Sequence, residues 1–280
     1  MDRNRNIDLM TQDVWLERHP YLQRVADFQA QVSAAAAGIP IARAHIPNFD
    51  SYIGDYKAGV PLLQSSHAAI DLEPAEAILV SLVESMASKP LPEKLALECR
   101  DSGTHLRSEP NAPRRAVAWL FGDEAFNPAH PGLLRYLGWT ALARFLYPLG
   151  DAFSSWREEE QWLRNYCPTC GSPPAMAQLV GIDPGRLRFL SCGCCNTRWR
   201  YRRIGCPFCE SADDHRLSAL AIEGEKYLRI DYCRACRAYL KTYNGEGSES
   251  FFLADWTSLH LDIIACDRGL KRLAASLYEL

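Results

Sequence analysis

Four C-x-x-C pairs are the residues in this chain whose type and spacing are best suited to chemistry: Cys167/Cys170, Cys192/Cys195, Cys206/Cys209 and Cys233/Cys236. Two thiolates three residues apart on a tight turn point at one ion and supply half of a tetrahedral shell, so a four-cysteine site needs two such pairs. Between the first and second pairs lie 21 residues, and between the third and fourth lie 23. A single pair also suits dithiol redox chemistry; four at these intervals predict two metal sites. The region repeats internally. Leu187-Arg188-Phe189 stands five residues before Cys192, and Leu228-Arg229-Ile230 stands five before Cys233. Each half reads cysteine knuckle, strand, turn, strand, knuckle, strand. A hairpin brings its own two knuckles together, which predicts Cys167, Cys170, Cys192 and Cys195 at site 1 and Cys206, Cys209, Cys233 and Cys236 at site 2. The cross-braced alternative, first pair with third and second with fourth, leaves the hairpin repeat without a purpose.

Three cysteines remain. Cys194 lies inside the second knuckle, either as a spare thiol or in place of Cys195; the repeat aligns Cys195 with Cys236. Cys99 and Cys266 read as buried thiols on helices. Four thiolates suit zinc or a single iron equally, and the hairpin repeat favours a mononuclear ion over a four-iron cluster. Two other functions compete. A zinc ribbon can bind nucleic acid, and Thr197–Arg203 (TRWRYRR) is a basic strand with interleaved aromatics. Residues 166–244 hold 12 Lys+Arg against 7 Asp+Glu, and two four-thiolate metal shells at about −2 each would leave that surplus near +1, which argues against a strong polyanion site. A thiol redox protein needs a metal-free pair at a helix N-terminus, whereas every pair here has a partner pair. Of the seven histidines only His215, in Asp213-Asp214-His215, falls near a pair, and it reads as an exposed turn.

The elements that must position these residues follow from the rest of the 280-residue chain. Apolar residues make up 48%, charged residues 23%, and the formal net charge is −3, the balance of a globular protein and not of a disordered or membrane-channel chain. The opening stretch carries Arg3 and Arg5 without an apolar run behind them, and no later stretch approaches the ~20 apolar residues of a membrane helix. A cytoplasmic location with reduced thiols is therefore expected. Residues 1–165 predict a helical domain. Its helices are expected over Trp15–Ala37, Ala75–Lys89, from Glu93, over Arg114–Phe121 and from Pro131, several with proline in the first turn, and a charged one over Ser155–Asn165. Residues 166–204 and 205–245 predict two ribbons, with turns at Asp183-Pro184-Gly185 and Glu223-Gly224-Glu225. Residues 246–280 predict an extension with a strand at Phe251–Trp256 and a helix over Leu259–Leu277 broken at Gly269. The fold class is α+β: an N-terminal all-helical domain, two tandem rubredoxin-like or zinc-ribbon knuckle modules and a C-terminal helix.

The strings CPTCGSPP (Cys167–Pro174), LSCGCCNTRWRYRRIGCPFCES (Leu190–Ser211) and YCRACRAYLKTY (Tyr232–Tyr243) resemble the formate dehydrogenase accessory protein FdhE family. The agreement includes residues between the pairs, such as Trp199-Arg200 and Tyr239-Leu240-Lys241, and Leu253-Ala254-Asp255 through Leu261-Asp262 is similar to the family's stretch after the last knuckle. The resemblance implies a cytoplasmic accessory factor, not an enzyme. It further implies binding to the catalytic subunit of formate dehydrogenase, and iron in rubredoxin-like sites held by the eight paired cysteines.

Overall fold

The computed structural model describes residues 11–41, 45–182 and 185–278. The opening residues with Arg3 and Arg5, and Asp183-Pro184 of the first expected turn, lie outside the described residues. The N-terminal part is helical: α1 (Gln12–Arg18), α2 (Gln23–Gly38), α3 (Ile53–Ala58), α4 (Glu73–Ala87), α5 (Glu93–Ser108), α6 (Ala112–Leu120) and α7 (Pro131–Trp156). The helix expected over Trp15–Ala37 is divided. Pro20 has no N–H to continue the ladder, and a short 3-10 turn, Pro20–Leu22, separates α1 from α2. In α4, Pro74 takes the first turn, where its missing donor is harmless, and Ile78, Leu79, Leu82, Val83 and Met86 are buried along one face. The long α7 buries Leu137, Trp139, Leu142, Phe145, Leu149 and Phe153 and forms the spine of the helical body. Among the described residues, no helix is long and apolar enough to cross a membrane.

The charged stretch after α7 is not the expected helix: α7 ends at Trp156 and the next residues run in turns. Tertiary partners decide this. The buried Arg157 guanidinium donates to the Arg198 carbonyl and to Glu159 Oε1 (2.7 Å). Glu159 Oε2 accepts the Arg200 amide (3.0 Å), and Trp199 Nε1 donates to the Arg164 carbonyl (2.9 Å). The charges bind an edge strand, which a helix facing solvent would not do.

The strands are β1 (Pro174–Val180), β2 (Leu187–Cys192), β3 (Arg198–Tyr201), β4 (Leu217–Ala221), β5 (Leu228–Cys233) and β6 (Tyr239–Asn244). They form one sheet in the order β3-β2-β1-β6-β5-β4. Each ribbon is an antiparallel three-stranded unit, and the two join through a parallel pairing of β1 with β6, Met176 opposite Lys241. One core runs from the helical body to Ala177, Leu190, Trp199 and Leu240; a second packs Leu228, Ile230, Tyr239 and Tyr243 against the C-terminal segment and α1.

That C-terminal segment differs from expectation in two places. Phe251–Trp256 forms no strand but part of a short helix, α8 (Glu249–Phe252), and the start of a 3-10 turn, Asp255–Ser258. Over residues 241–243, β6 already has β1 on one side and β5 on the other, so the end of the strand offers no free edge to the chain that directly follows it. Its aromatics cover the sheet face instead, Phe252 stacking on Tyr243 at 4.7 Å. The last helix, α9 (Leu259–Asp267), stops before Gly269, whose φ of +67° supplies the left-handed stop, with the Leu270 amide reaching back to the Ala265 carbonyl (3.0 Å). No second helical piece follows among the described residues. The chain extends and pairs with the start of β6, Tyr239 N–H to the Lys271 carbonyl (3.1 Å) and Lys271 N–H to the Arg237 carbonyl (2.8 Å).

Candidate metal centres

All four knuckles share one backbone plan. Each first cysteine donates its amide to the carbonyl five residues on, at 2.9 Å in every case: Cys167 to Ser172, Cys192 to Thr197, Cys206 to Ser211 and Cys233 to Ala238. The residue after each second cysteine is left-handed: Gly171 (φ +82°), Asn196 (+62°), Glu210 (+57°) and Arg237 (+63°). That conformation costs side-chain-bearing residues roughly 1–2 kcal/mol, so its recurrence at three of them marks a turn imposed by the pair. Amides also point at sulfur, Cys194 N–H to Cys192 Sγ and Phe208 N–H to Cys206 Sγ, both at 3.4 Å.

The structure brings Cys167, Cys170, Cys192 and Cys195 into one cluster and Cys206, Cys209, Cys233 and Cys236 into another. Sulfur separations are 3.5 Å for Cys167–Cys195 and Cys170–Cys192, 3.6 Å for Cys206–Cys236 and 3.8 Å for Cys209–Cys233. A tetrahedron with metal–sulfur bonds of about 2.3 Å has edges of about 3.8 Å, close to these separations, and all four sulfurs of each cluster lie within 4.8 Å of one another, so each cluster could hold one ion. The thiols disagree electrostatically. Burial opposes charge on Cys167, yet hydrogen bonds from Cys170, Cys192 and Cys195 hold it well below the ordinary thiol range. The hydrogen bond to Cys167 in turn pushes Cys170 and Cys192 well above it. Four thiolates coexist in so small a shell only around a cation.

The clusters have different surroundings. All four sulfurs of the first are buried. Its knuckle is clamped to the helical body by the Leu62 and Leu63 amides, which donate to the Pro168 and Thr169 carbonyls (both 2.9 Å). In the second, Cys209 is exposed and Cys236 half-buried. Burial pushes the Cys206 thiol up to about 12, whereas the Ser211 amide lowers Cys209. Beside this cluster lies a cavity of about 380 Å3, lined in part by Cys206, Phe208, Arg188, Arg229 and Asp231.

Cys194 is buried but belongs to neither cluster. Cys99 is buried, its thiol pushed up to about 11 by burial; Cys266, expected to be buried, is exposed on α9. The basic strand is packed: Trp199 and Tyr201 are buried and offer no stacking face, and Arg200 pairs with Glu160. Two groupings were not legible in the sequence. Lys241, 1% exposed, contacts Asp255 (2.5 Å) and Asp262 (2.7 Å); Arg272 binds both carboxylates and the Tyr239 hydroxyl donates to Asp262. His19, Glu225 and His260 also converge.

A model of the FdhE central domain matches residues 166–203, which hold the first two knuckles and strands β1 to β3. FdhE homologues of Aquifex aeolicus and Stutzerimonas stutzeri are 28% and 31% identical over 172 and 182 residues, 60% and 61% of this chain. The chain is similar to FdhE proteins over these segments. The matched segments span 59% and 57% of those two relatives' own lengths, less than two thirds. The crystal structure of the FdhE protein from Pseudomonas aeruginosa shares the fold, with a TM-score of 0.63 over 92% of this chain and 88% of that one, at 24% identity. The FdhE fold thus extends over the helical body as well as the cysteine-rich segment. The Tyr239-Leu240-Lys241 and Asp255/Asp262 stretches that resembled the family in sequence meet in the buried ionic network.

Proposed function

We propose that this chain is a cytoplasmic accessory factor for formate dehydrogenase, not itself an enzyme, which docks the catalytic subunit and carries two mononuclear iron ions. In this reading Cys167, Cys170, Cys192 and Cys195 ligate one ion and Cys206, Cys209, Cys233 and Cys236 the other. The observation that carries it is the pair of four-sulfur clusters, each with all sulfurs within 4.8 Å of one another and two separations of 3.5–3.8 Å, in a chain similar to FdhE proteins. A single iron held by four thiolates changes oxidation state with little ligand movement, and the half-open second cluster faces a cavity with cationic and apolar walls, a surface suited to a protein partner. Zinc in the same shells would make both sites purely structural.

Two measurements test this. Protein purified from medium containing both metals is expected to hold two irons per chain and to show the visible colour of ferric thiolate; two zincs in a colourless protein would overturn the iron assignment. A tagged chain is expected to retain the formate dehydrogenase catalytic subunit from its own host. Wild-type levels of active formate dehydrogenase in a strain lacking the protein would overturn the accessory role.

A further inference from the structure

His19, Glu225 and His260 lie 206 and 35 residues apart in sequence and come from three elements: the C-terminal cap of α1, the β4–β5 turn and the first turn of α9. Their ligand atoms meet at one point. Nε2 of His19 is 2.7 Å from Glu225 Oε1, and Nε2 of His260 is 2.9 Å from the same oxygen. The three side chains are only 8%, 6% and 12% exposed. The cluster stands at the turn end of the second ribbon, the opposite end of β5 from Cys233.

Hydrogen-bond accounting makes the His19 contact unusual. Its Nδ1 is 3.0 Å from the Trp15 carbonyl, which has only lone pairs, so Nδ1 carries the ring proton. In a neutral ring Nε2 is then a bare lone pair aimed at a carboxylate oxygen. That approach is repulsive unless something positive sits between them, either a second proton or a metal ion. A backbone carbonyl on the far nitrogen is also the outer contact that fixes a metal-ligating histidine in its tautomer. The surroundings are rigid. Trp15 stacks on the His19 ring at 3.9 Å and donates its indole N–H to the Thr257 carbonyl (3.0 Å), and His260 lies 4.9 Å from His19, ring to ring. Arg18, the nearby cation, donates to the Gly224 carbonyl (2.7 Å) and leaves the Glu225 carboxylate to the two imidazoles.

We propose that His19, Glu225 and His260 form a third metal site, taking a divalent first-row transition ion through two imidazole nitrogens and one carboxylate. The nitrogen–oxygen separations are a few tenths of an ångström short of the roughly 3 Å edge of a six-coordinate shell with bonds of about 2.1 Å. A small outward movement of the Glu225 turn seats the ion. Two histidines and a carboxylate leave the other coordination positions to water or an incoming oxygen ligand. The donor set is harder than the thiolate shells and selects differently from them. A bound ion would also tie α1 to the second ribbon and to α9.

The test is a stoichiometry difference that stands whatever the cysteines hold. The full-length protein is loaded with excess Co(II), desalted and assayed for metal beside Glu225→Gln and His260→Gln. Wild type is expected to retain one more equivalent than either variant, with weak visible bands of nitrogen–oxygen ligation. The near-ultraviolet thiolate–cobalt bands should be equal in all three and report intact cysteine clusters. Crystals soaked in Co(II) should show an anomalous peak between the three side chains. Equal metal content in wild type and both variants, or no peak there, would overturn the proposal. The polar replacements keep size, and equal thiolate bands exclude misfolding as the cause of a lost equivalent.

Discussion

The two cysteine clusters are built on the same knuckle and differ in nearly everything outside it. Cluster one is buried at the joint between helical body and sheet; cluster two opens to solvent at Cys209. The left-handed residue after the second cysteine shows how the sequence makes that difference. At the first knuckle it is Gly171, where a Cβ would stand 2.5 Å from Gln64 Nε2 and 3.2 Å from Pro61 Cγ, so the helical body packs directly against the turn. At the equivalent place of the second ribbon stands Glu210, exposed. A duplicated four-cysteine motif has been divided into a buried keystone and a surface centre by changing what surrounds it.

The largest effect should come from breaking the keystone. Cys170→Ser or Cys192→Ser removes one ligand from a kind of site whose metal contributes roughly 10 kcal/mol, comparable to the whole stability of a domain. Loss of soluble, cooperatively folding protein is expected. Cys209→Ser should leave a folded chain with one metal fewer, and equal damage from both substitutions would erase the distinction. Lys241→Met comes next. It strands Asp255 and Asp262, buried carboxylates held by Lys241 and Arg272, at an expected cost of about 3–5 kcal/mol in denaturant unfolding. That loss would show the second ribbon to rest on its ionic network as well as on its cluster.

Smaller effects test the glycine contrast. Gly171→Ala should cost about 1–3 kcal/mol through backbone conformation and crowding. Glu210→Gly, at the corresponding exposed place, should stabilise by up to roughly 1 kcal/mol. Thermal unfolding of both variants decides the sign. Smallest of all, Cys194→Ser is expected to leave metal content unchanged; loss of a metal would make Cys194 a ligand.

What the sequence revealed was local. The knuckles, the paired strands and the proline-led helices α4, α6 and α7 are each encoded within some twenty residues, as spacing or periodicity. The unread parts depend on distant partners. Arg157 and Glu159 looked like residues of a solvent-facing helix because nothing local announces the backbone of β3 as their target. Phe251–Trp256 has a strand-like composition, and only the sheet order shows that the end of β6 is already paired on both sides. Lys241 stood in a string that matched the family, but its buried role needs Asp255 and Asp262 to return over the sheet. His19, Glu225 and His260 share no spacing that a motif could capture.

The parallel pairing of β1 with β6 has a consequence for the order in which the molecule is made. Each ribbon's antiparallel strands close locally, so the chain through β3 can assemble its four cysteines while later residues are still being synthesised. β1 lacks its second neighbour until residues 239–244 arrive. Closure of the sheet therefore waits for the end of the second ribbon, and non-local pairing of this kind is a slow step in folding. A ribosome-bound chain would be expected to fill the keystone first and acquire the surface centre last.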